Sequence, residues 1–467
     1  MICLYYCLCN VSLYIRLKNK PAMQNNKYVF LLTFILILLS PVIKAAEPPT
    51  ILSMKERAAF IDSITEKRIK TLLPTLMQQH NIDMWLMISR EYNEDPILKT
   101  MLPATWLSAR RTTILLFAVN KQGGVDAFAI APYKIGSVFK KAWDKQAQPN
   151  QWRALNELIE QYQPRNIALN TSTDWAHADG LVLGDYKQLM STLPKPYQSK
   201  IISAEPLAVS WLEQRIPEEV DMYKHIVSIA HHIIAEGFSS NTITVGETTS
   251  DDLVWWFRER VRELKLQTWF HPSIAIQRAD SKSFDHEDSF TNGYADNVIQ
   301  AGDLLHVDFG INYLRLNTDT QQHAYVLKPG ETKAPDYLVD ALKKGNKLQD
   351  IFTAEFTAGK TGNQVLKAAR EKAIAQGLKP TIYTHPLGYH GHAAGTTLGM
   401  WDAQQGVPGD GDYPLHLNTA YSIELNNAVF IKPWNKEIRI MLEEDAMFDK
   451  TGVWYLNGRQ TELLLVK

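Results

Sequence analysis

Four acidic residues stand where apolar ones would be expected. Asp308 lies near the end of the run Leu304-Leu305-His306-Val307-Asp308-Phe309-Gly310, and Asp319 follows eleven positions later, past a loop that begins at Gly310. Glu424 interrupts Ser422-Ile423-Glu424-Leu425, and Glu443 heads the cluster Glu443-Glu444-Asp445 at the end of another apolar run from Ile438. An unpaired carboxylate in a buried strand must take up a proton, find a cation or bind a metal. Any one of these alone would ordinarily be a solvated edge residue or an arginine partner. Four of them accompany the segment His385-Pro-Leu-Gly-Tyr-His390-Gly-His392-Ala-Ala-Gly395, with three histidines in eight residues and glycines that permit close backbone approach. The charges of Asp308, Asp319, Glu424 and Glu443 would be cancelled by two divalent cations, and an oxygen-rich set suits manganese, zinc or similar ions.

The elements that must position these residues fall into two groups. From Met54 to about Ile202 helical and apolar segments alternate: a helix over Met54 to His80 with a break at Pro74, strands at Met84–Ile88 and Thr113–Ala118, a helix from Asn156 to Tyr162 and a strand at Asn166–Leu169. This reads as an α/β domain. The chain changes character around Pro206 to Pro217. Ile216-Pro217-Glu218-Glu219 is a helix start, with proline at the first helical position and carboxylates at the positive end of the dipole. Val220, Tyr223, Val227, Ala230 and Ile234 then form one buried stripe. Further helices are predicted over Asp251–Leu264 and from Asn363 to a left-handed cap at Gly377. Strands are predicted at Ser273–Ile276, Leu304–Phe309, His323–Leu327, Ala420–Leu425 and Ile438–Phe448. The second region is therefore α+β.

Composition narrows the partners. The 467 residues carry 49 Lys plus Arg against 50 Asp plus Glu, a net charge of -1, so there is no electrostatic footprint for nucleic acid. The 16-residue apolar run Tyr28–Ile43, preceded by Lys20 and Lys27 and followed by Ala45-Ala46-Glu47-Pro48, has the form of a secretory signal, with Met23 a more ordinary start than Met1. The run is short for a membrane span. All three cysteines, Cys3, Cys7 and Cys9, precede it, so the chain from about Ala46 has no thiol chemistry. The expected protein is exported, periplasmic or secreted, with no membrane attachment after cleavage.

Against this background the motifs resemble those of the pita-bread metallopeptidase family (M24). Gly302-Asp303-Leu304-Leu305-His306-Val307-Asp308-Phe309-Gly310 is similar to its "GDLVxxDxG" strand, Ala420-Tyr421-Ser422-Ile423-Glu424 to its first glutamate strand, and Ile438-Arg439-Ile440 with Glu443-Glu444-Asp445 to its "RIEED" segment. The order Asp, Asp, His, Glu, Glu is the family's ligand order. The layout resembles the Xaa-Pro aminopeptidase and prolidase branch: an upstream extension and signal over 1–46, an α/β creatinase/prolidase-like domain over 47–210, and an α+β pita-bread (creatinase/aminopeptidase-like) catalytic domain over 211–467.

The resemblance implies a metallo-exopeptidase acting on peptides with proline in the second position, with two divalent ions, manganese first and zinc or cobalt as alternatives, and a homodimer. It assigns Asp308, Asp319, His392, Glu424 and Glu443 to the metals. His392 is favoured over His390 because Gly395 completes a His-x-x-Gly pattern, and Glu443 is favoured over Glu444 by its interval to Gly452. Glu424 is the acid/base group acting on a metal-bridging hydroxide, His286 and His385 are catalytic and substrate-contacting histidines, and Arg439 pairs with substrate or a ligand carboxylate. Two departures stand out. Gly399-Met400-Trp401-Asp402 occupies the place where the family carries another histidine after the ligand, and Thr320-Gln321-Gln322-His323 differs from "DxTRT". They keep open a catalytically altered pita-bread protein that binds peptides or hydrolyses another amide or carbon-nitrogen bond.

Overall fold

A computed structural model describes residues 49–291 and 297–467. The signal-like run, its basic flank and the three cysteines lie outside the described residues. Among the described residues no helix is long and apolar enough to cross a membrane.

The first region builds a six-stranded sheet from β1 (Met84–Arg90), β2 (Thr112–Val119), β3 (Val125–Ile130), β4 (Lys140–Lys141), β5 (Ile167–Leu169) and β6 (Ile201–Ser203), in the order β4-β3-β2-β1-β5-β6. Its central strands are apolar at nearly every position because both faces are covered. Trp85 and Met87 of β1 pack with Leu73, Leu76 and Met77 of the N-terminal helix. Met84, Leu86 and Ile88 face the other way, onto Leu155, Leu158 and Ile159 of the helix Gln151–Tyr162. The N-terminal helix is α-helical over Met54–Lys67, widens to a π turn over Arg68–Leu72 and resumes over Leu73–Gln79. Pro74 lacks the N–H that would bond the preceding turn, so the break expected there takes the form of a wider turn just before it. The expected domain boundary at 210/211 falls inside the helix Glu205–Glu213.

The second region carries β7 (Ser273–Gln277), β8 (Leu304–Phe309), a two-stranded ribbon β9 (Asn312–Tyr313) with β10 (Leu316–Asn317), then β11 (Thr320–Val326), β12 (Pro380–Ile382), β13 (His385–Leu387), β14 (Thr419–Ile431), β15 (Lys436–Asp449), β16 (Gly452–Tyr455) and β17 (Leu464–Val466). Nine of these form one curled sheet, β12-β14-β15-β11-β8-β7, with β13 on β14, β16 on β15 and β17 on β11. Its backbone is the antiparallel pair β14/β15, longer at both ends than the apolar runs predict and closed by Asn435 in the left-handed conformation. The helix Pro217–Gly237 begins as expected, with Glu218 and Glu219 in its first turn and Tyr223, Val227, Ala230 and Ile234 buried.

One long helix, Asp336–Thr353, is absent from the sequence expectations. Gly345 and Asn346 at its middle have low helix propensity. In the fold a Cβ on Gly345 would lie 2.8 Å from Ile440 Cγ2 and 2.9 Å from Leu442 Cδ1. The glycine lets the helix lie close against β15, while Leu338, Leu342, Leu348 and Phe352 cover the sheet.

The turn that joins β8 to the second aspartate depends on another close approach. Trp269 Nε1–H donates to the Thr318 carbonyl at 2.8 Å, and a Cβ on Gly310 would sit 2.4 Å from both that oxygen and Trp269 Nε1. A Gly310→Ala substitution should therefore destabilise the protein by about 1–3 kcal/mol through overpacking. Denaturant unfolding of the variant against the wild type checks this, and an unchanged midpoint would show that the turn has room to give.

Candidate metal centre

Strand register brings the acidic residues together. Asp308 on β8 pairs with Gln321 on β11, Gln321 with Glu443 on β15, and Glu443 with Glu424 on β14. Directly opposed residues in antiparallel strands project to the same face, so these four positions make one row across four adjacent strands, spaced about 4.8 Å apart. Asp319 lies two positions before Gln321 and shares its face. His385 on β13 pairs with Ser422, two residues before Glu424, and so also faces the row. Residues from five strands or strand ends thus converge on one patch.

The geometry assigns each predicted residue a place. His385 Nε2 lies 3.6 Å from Asp319 Oδ2, 3.8 Å from Glu443 Oε1 and 3.9 Å from Glu424 Oε2. Three overlapping sets have ligand atoms close enough to share an ion: Asp308 with Asp319 and Glu443, His385 with Glu424 and Glu443, and Asp319 with His385 and His392. His385, expected to contact substrate, thus sits inside the carboxylate cluster, while His392 is the more exposed of the two, its ring centroid 4.6 Å from that of His385. His390 is turned elsewhere, its ring centroid 4.4 Å from that of His177 in a tilted pair. Glu444 points to the opposite face, where it accepts from Gln322 and from the Gln460 backbone and bonds His231. His286 stacks on Trp401 at 5.5 Å, and its Nε2 is 3.5 Å from Asn426 Nδ2. Arg439 donates to Asn426 Oδ1 at 3.1 Å, which places it behind His286 rather than on a carboxylate of the cluster.

Several buried polar atoms point into this patch with no hydrogen-bond partner: Asp308 Oδ1, Asp319 Oδ1 and His385 Nε2. The histidine is the most telling. Its Nδ1 is 3.0 Å from the Pro386 carbonyl, which can only accept, so Nδ1 carries the proton and the Nε2 lone pair faces three carboxylates. Burial holds the ring neutral, with its pKa lowered to about 3. A lone pair directed at carboxylate oxygens is repulsive unless a proton or a metal cation lies between them. The donor set, one imidazole nitrogen and four carboxylates, fits divalent ions.

Electrostatics point the same way. Burial, and then mutual repulsion, raise Asp319, Glu424 and Glu443 well above their ordinary range, and burial raises Asp308 to about 7. Without a cation the cluster holds on to protons.

The patch forms the floor of a cleft of about 790 Å³. Its walls are aromatic: Trp269 and Phe270 on one side, Tyr383 and Trp401 elsewhere, and Trp175 with His177 from the first region. Trp269, Tyr383 and Gln321 are site residues that sequence reasoning does not pick out. For Tyr383 a signal exists in its position two residues before His385; for Gln321 it lies in the departure after Asp319. His385-Pro-Leu-Gly388 has the same His-x-x-Gly spacing as His392-Ala-Ala-Gly395, so that pattern alone cannot separate the two histidines.

Residues 221–447 match the family model of metallopeptidase family M24. This region belongs to that family. Among solved structures the chain is similar to an X-Pro aminopeptidase from Thermotoga maritima, with 16% identity and a TM-score of 0.59 over 84% of this chain and 100% of that one. It is also similar to dipeptidase PepE from Mycobacterium ulcerans, with 15% identity and a TM-score of 0.54 over 89% and 99% of the two chains. A third likeness is to an Xaa-Pro dipeptidase from Bacillus anthracis, with 14% identity and a TM-score of 0.53 over 88% and 100%. At these identities the likeness establishes the fold, and the curled sheet is the pita-bread sheet of M24. Comparison with curated proteins found no match.

The raised carboxyl pKa values set a direction for stability. A carboxyl whose folded pKa exceeds its unfolded value contributes stability at low pH, below about 4; the contribution is lost as pH rises toward the folded value, about 7 for Asp308. In chelator-treated protein, Asp308→Asn, which mimics the protonated acid, should therefore gain melting temperature over the wild type as pH rises from 5 to 8. Manganese should reverse the order by stabilising only the wild type strongly. A constant difference across that range would mean that burial does not raise the Asp308 pKa in the folded protein.

Proposed function

We propose that the protein is an exopeptidase that cleaves the bond before proline, at peptide N-termini or in Xaa-Pro dipeptides, using two divalent ions held by Asp308, Asp319, His385, Glu424 and Glu443. The observation that carries this reading is the row Asp308–Gln321–Glu443–Glu424 facing the unprotonated Nε2 of His385. His385 takes the ligand place that the motif assigns to His392. His392 then follows the ligand by seven residues and supplies the later histidine expected at Trp401. That removes the feature which favours a peptide binder without turnover.

When bound, the ions supply Lewis acidity and neutralise the cluster. The chain's own groups do the rest. Glu424, with Oε2 on the His385 side, accepts the proton of the attacking water and returns it to the leaving nitrogen. His392, which lines the cleft, and His286, stacked on the cleft residue Trp401, stabilise negative charge developing on the scissile carbonyl oxygen. Arg439 acts through Asn426 to hold His286 in place. The aromatic walls exclude water and offer flat apolar surface to a proline ring. Similarity to the solved structures of an X-Pro aminopeptidase and an Xaa-Pro dipeptidase supports the choice of substrate. Manganese is the ion we favour for the oxygen-rich set. Export after cleavage near Ala46 rests on the segment Lys20–Pro48, and a homodimer rests on the family resemblance.

The test is hydrolysis of Xaa-Pro dipeptides and longer Xaa-Pro peptides by purified protein, with and without manganese. Asp308→Asn should abolish metal-dependent turnover. His385→Ala should weaken manganese binding by about 10–100-fold or more, whereas His392→Ala should keep the ions and lose mainly kcat. Ion loss in His392→Ala with retention in His385→Ala would exchange the two roles, and undiminished turnover by Asp308→Asn would remove the mechanism.

A further inference from the structure

The row contains one member that is not an acid. Gln321 stands between Asp308 and Glu443 in the register, and it is fully buried. Its Nε2 donates to Glu424 Oε1 and, at 2.8 Å, to Glu443 Oε2. Its Oε1 is 2.9 Å from His306 Nε2. The oxygens of Glu424 and Glu443 are acceptors, which turns the amide Nε2 toward them and leaves Oε1 to His306 Nε2, which must then be the donor. With Oε1 tied to His306, both protons of Nε2 are aimed at the glutamates. His306 is itself buried on β8, two residues before Asp308, and on the same face.

The oxygens that Gln321 leaves alone are the informative ones. Glu424 Oε2 and Glu443 Oε1 are the atoms that face His385 Nε2, at 3.9 and 3.8 Å, and Ser422 Oγ also donates to Glu443 Oε1. Gln321 therefore grips one oxygen of each glutamate and turns the other toward the imidazole. A neutral amide donates to two carboxylates without competing with a cation for the space between them. A threonine or serine at this position has one proton and a shorter reach, and could not span both.

We propose that Gln321, oriented by His306, is a positioning residue that presets Glu424 and Glu443 for the ion they share with His385. The inference rests on the metal reading above, and extends it to a residue that touches neither ion nor substrate. Partners of ligating carboxylates typically change metal affinity by about 10–100-fold when removed.

Isothermal titration of manganese into the purified protein tests this, with Gln321→Met as a variant of similar length that cannot donate. Gln321→Met should lose about 10-fold or more in affinity for at least one manganese ion, with turnover at saturating manganese largely recovered. The second variant, His306→Phe, keeps the amide but frees its orientation, and should show a smaller loss in the same step. Melting of the chelator-treated proteins reports folding separately; if Gln321→Met does not fold, the affinity of His306→Phe decides the matter. Manganese affinity within about twofold of wild type in the folded variants would overturn the inference while leaving the metal reading intact, since removed partners ordinarily cost far more. No manganese binding by the wild type would remove both.

Discussion

Like charges on one face of a buried sheet are the constraint around which the second region is organised. In this patch burial and then mutual repulsion raise the proton affinity of Asp319, Glu424 and Glu443, and burial raises that of Asp308. Water cannot screen them, because burial is the largest cause of every one of those shifts. Such a patch is tolerable only with protons or with cations. The apolar packing of the sheet against the helices Pro217–Gly237, Ser250–Glu263, Asp336–Thr353 and Gly362–Ala375 must therefore hold a locally unfavourable arrangement in register. The long β14/β15 ladder does most of this, fixing Glu424 opposite Glu443 within thirteen consecutive residue pairs.

The same constraint explains how side chains around the patch are dealt to opposite faces. Along β15, Glu443 turns to the cleft and Glu444 away from it, where His231, Gln322 and the Gln460 backbone satisfy it completely. Asp445 returns to the cleft face and accepts the Asp319 backbone N–H at 3.1 Å, so an acid beyond the ligand set steadies the second aspartate. Three consecutive acidic residues thus serve three purposes, and only strand alternation separates them. His323 shows the bland outcome for a buried histidine: Nδ1 meets the Leu305 carbonyl, Nε2 receives the Met441 N–H, and nothing is left for chemistry.

Much of this is legible in the sequence. Apolar runs interrupted by acids locate the site strands, and Asp308, Asp319, Glu424 and Glu443 all converge as the motifs imply. Proline at the first helical position, followed by Glu218 and Glu219, places the start of the helix Pro217–Gly237. What the linear pattern cannot carry is information held in pairings. Choosing between His385 and His392 requires knowing that β13 lies against β14 with His385 opposite Ser422, because both histidines stand three residues before a glycine. Likewise the reason for Gly345 within a helix appears only in the proximity of Ile440 and Leu442, which excludes a side chain. Gln321 stands out in the sequence only as a departure, since the value of an amide depends on which acids flank it across two other strands.

The proposed assignment of His385 as the metal ligand changes the meaning of Trp401. Along the chain it replaces an imidazole and argues against turnover. In the cleft it stacks on His286, with an interplanar angle of 24°, and remains over one-third exposed at 39%. An indole there covers one face of the imidazole and leaves the ring edge toward Asn426, so it limits rotation without competing for the proton. Burial lowers the His286 pKa, as does Arg439 behind it. The ring is thereby kept neutral, able to donate one hydrogen bond and accept another. A neutral donor next to a cluster awaiting cations adds no positive charge that would repel them, which is consistent with a site whose positive charge is to come from the ions. The aromatic residue and the amide of Gln321 follow one rule: close to the acids, this fold uses groups that orient without carrying charge.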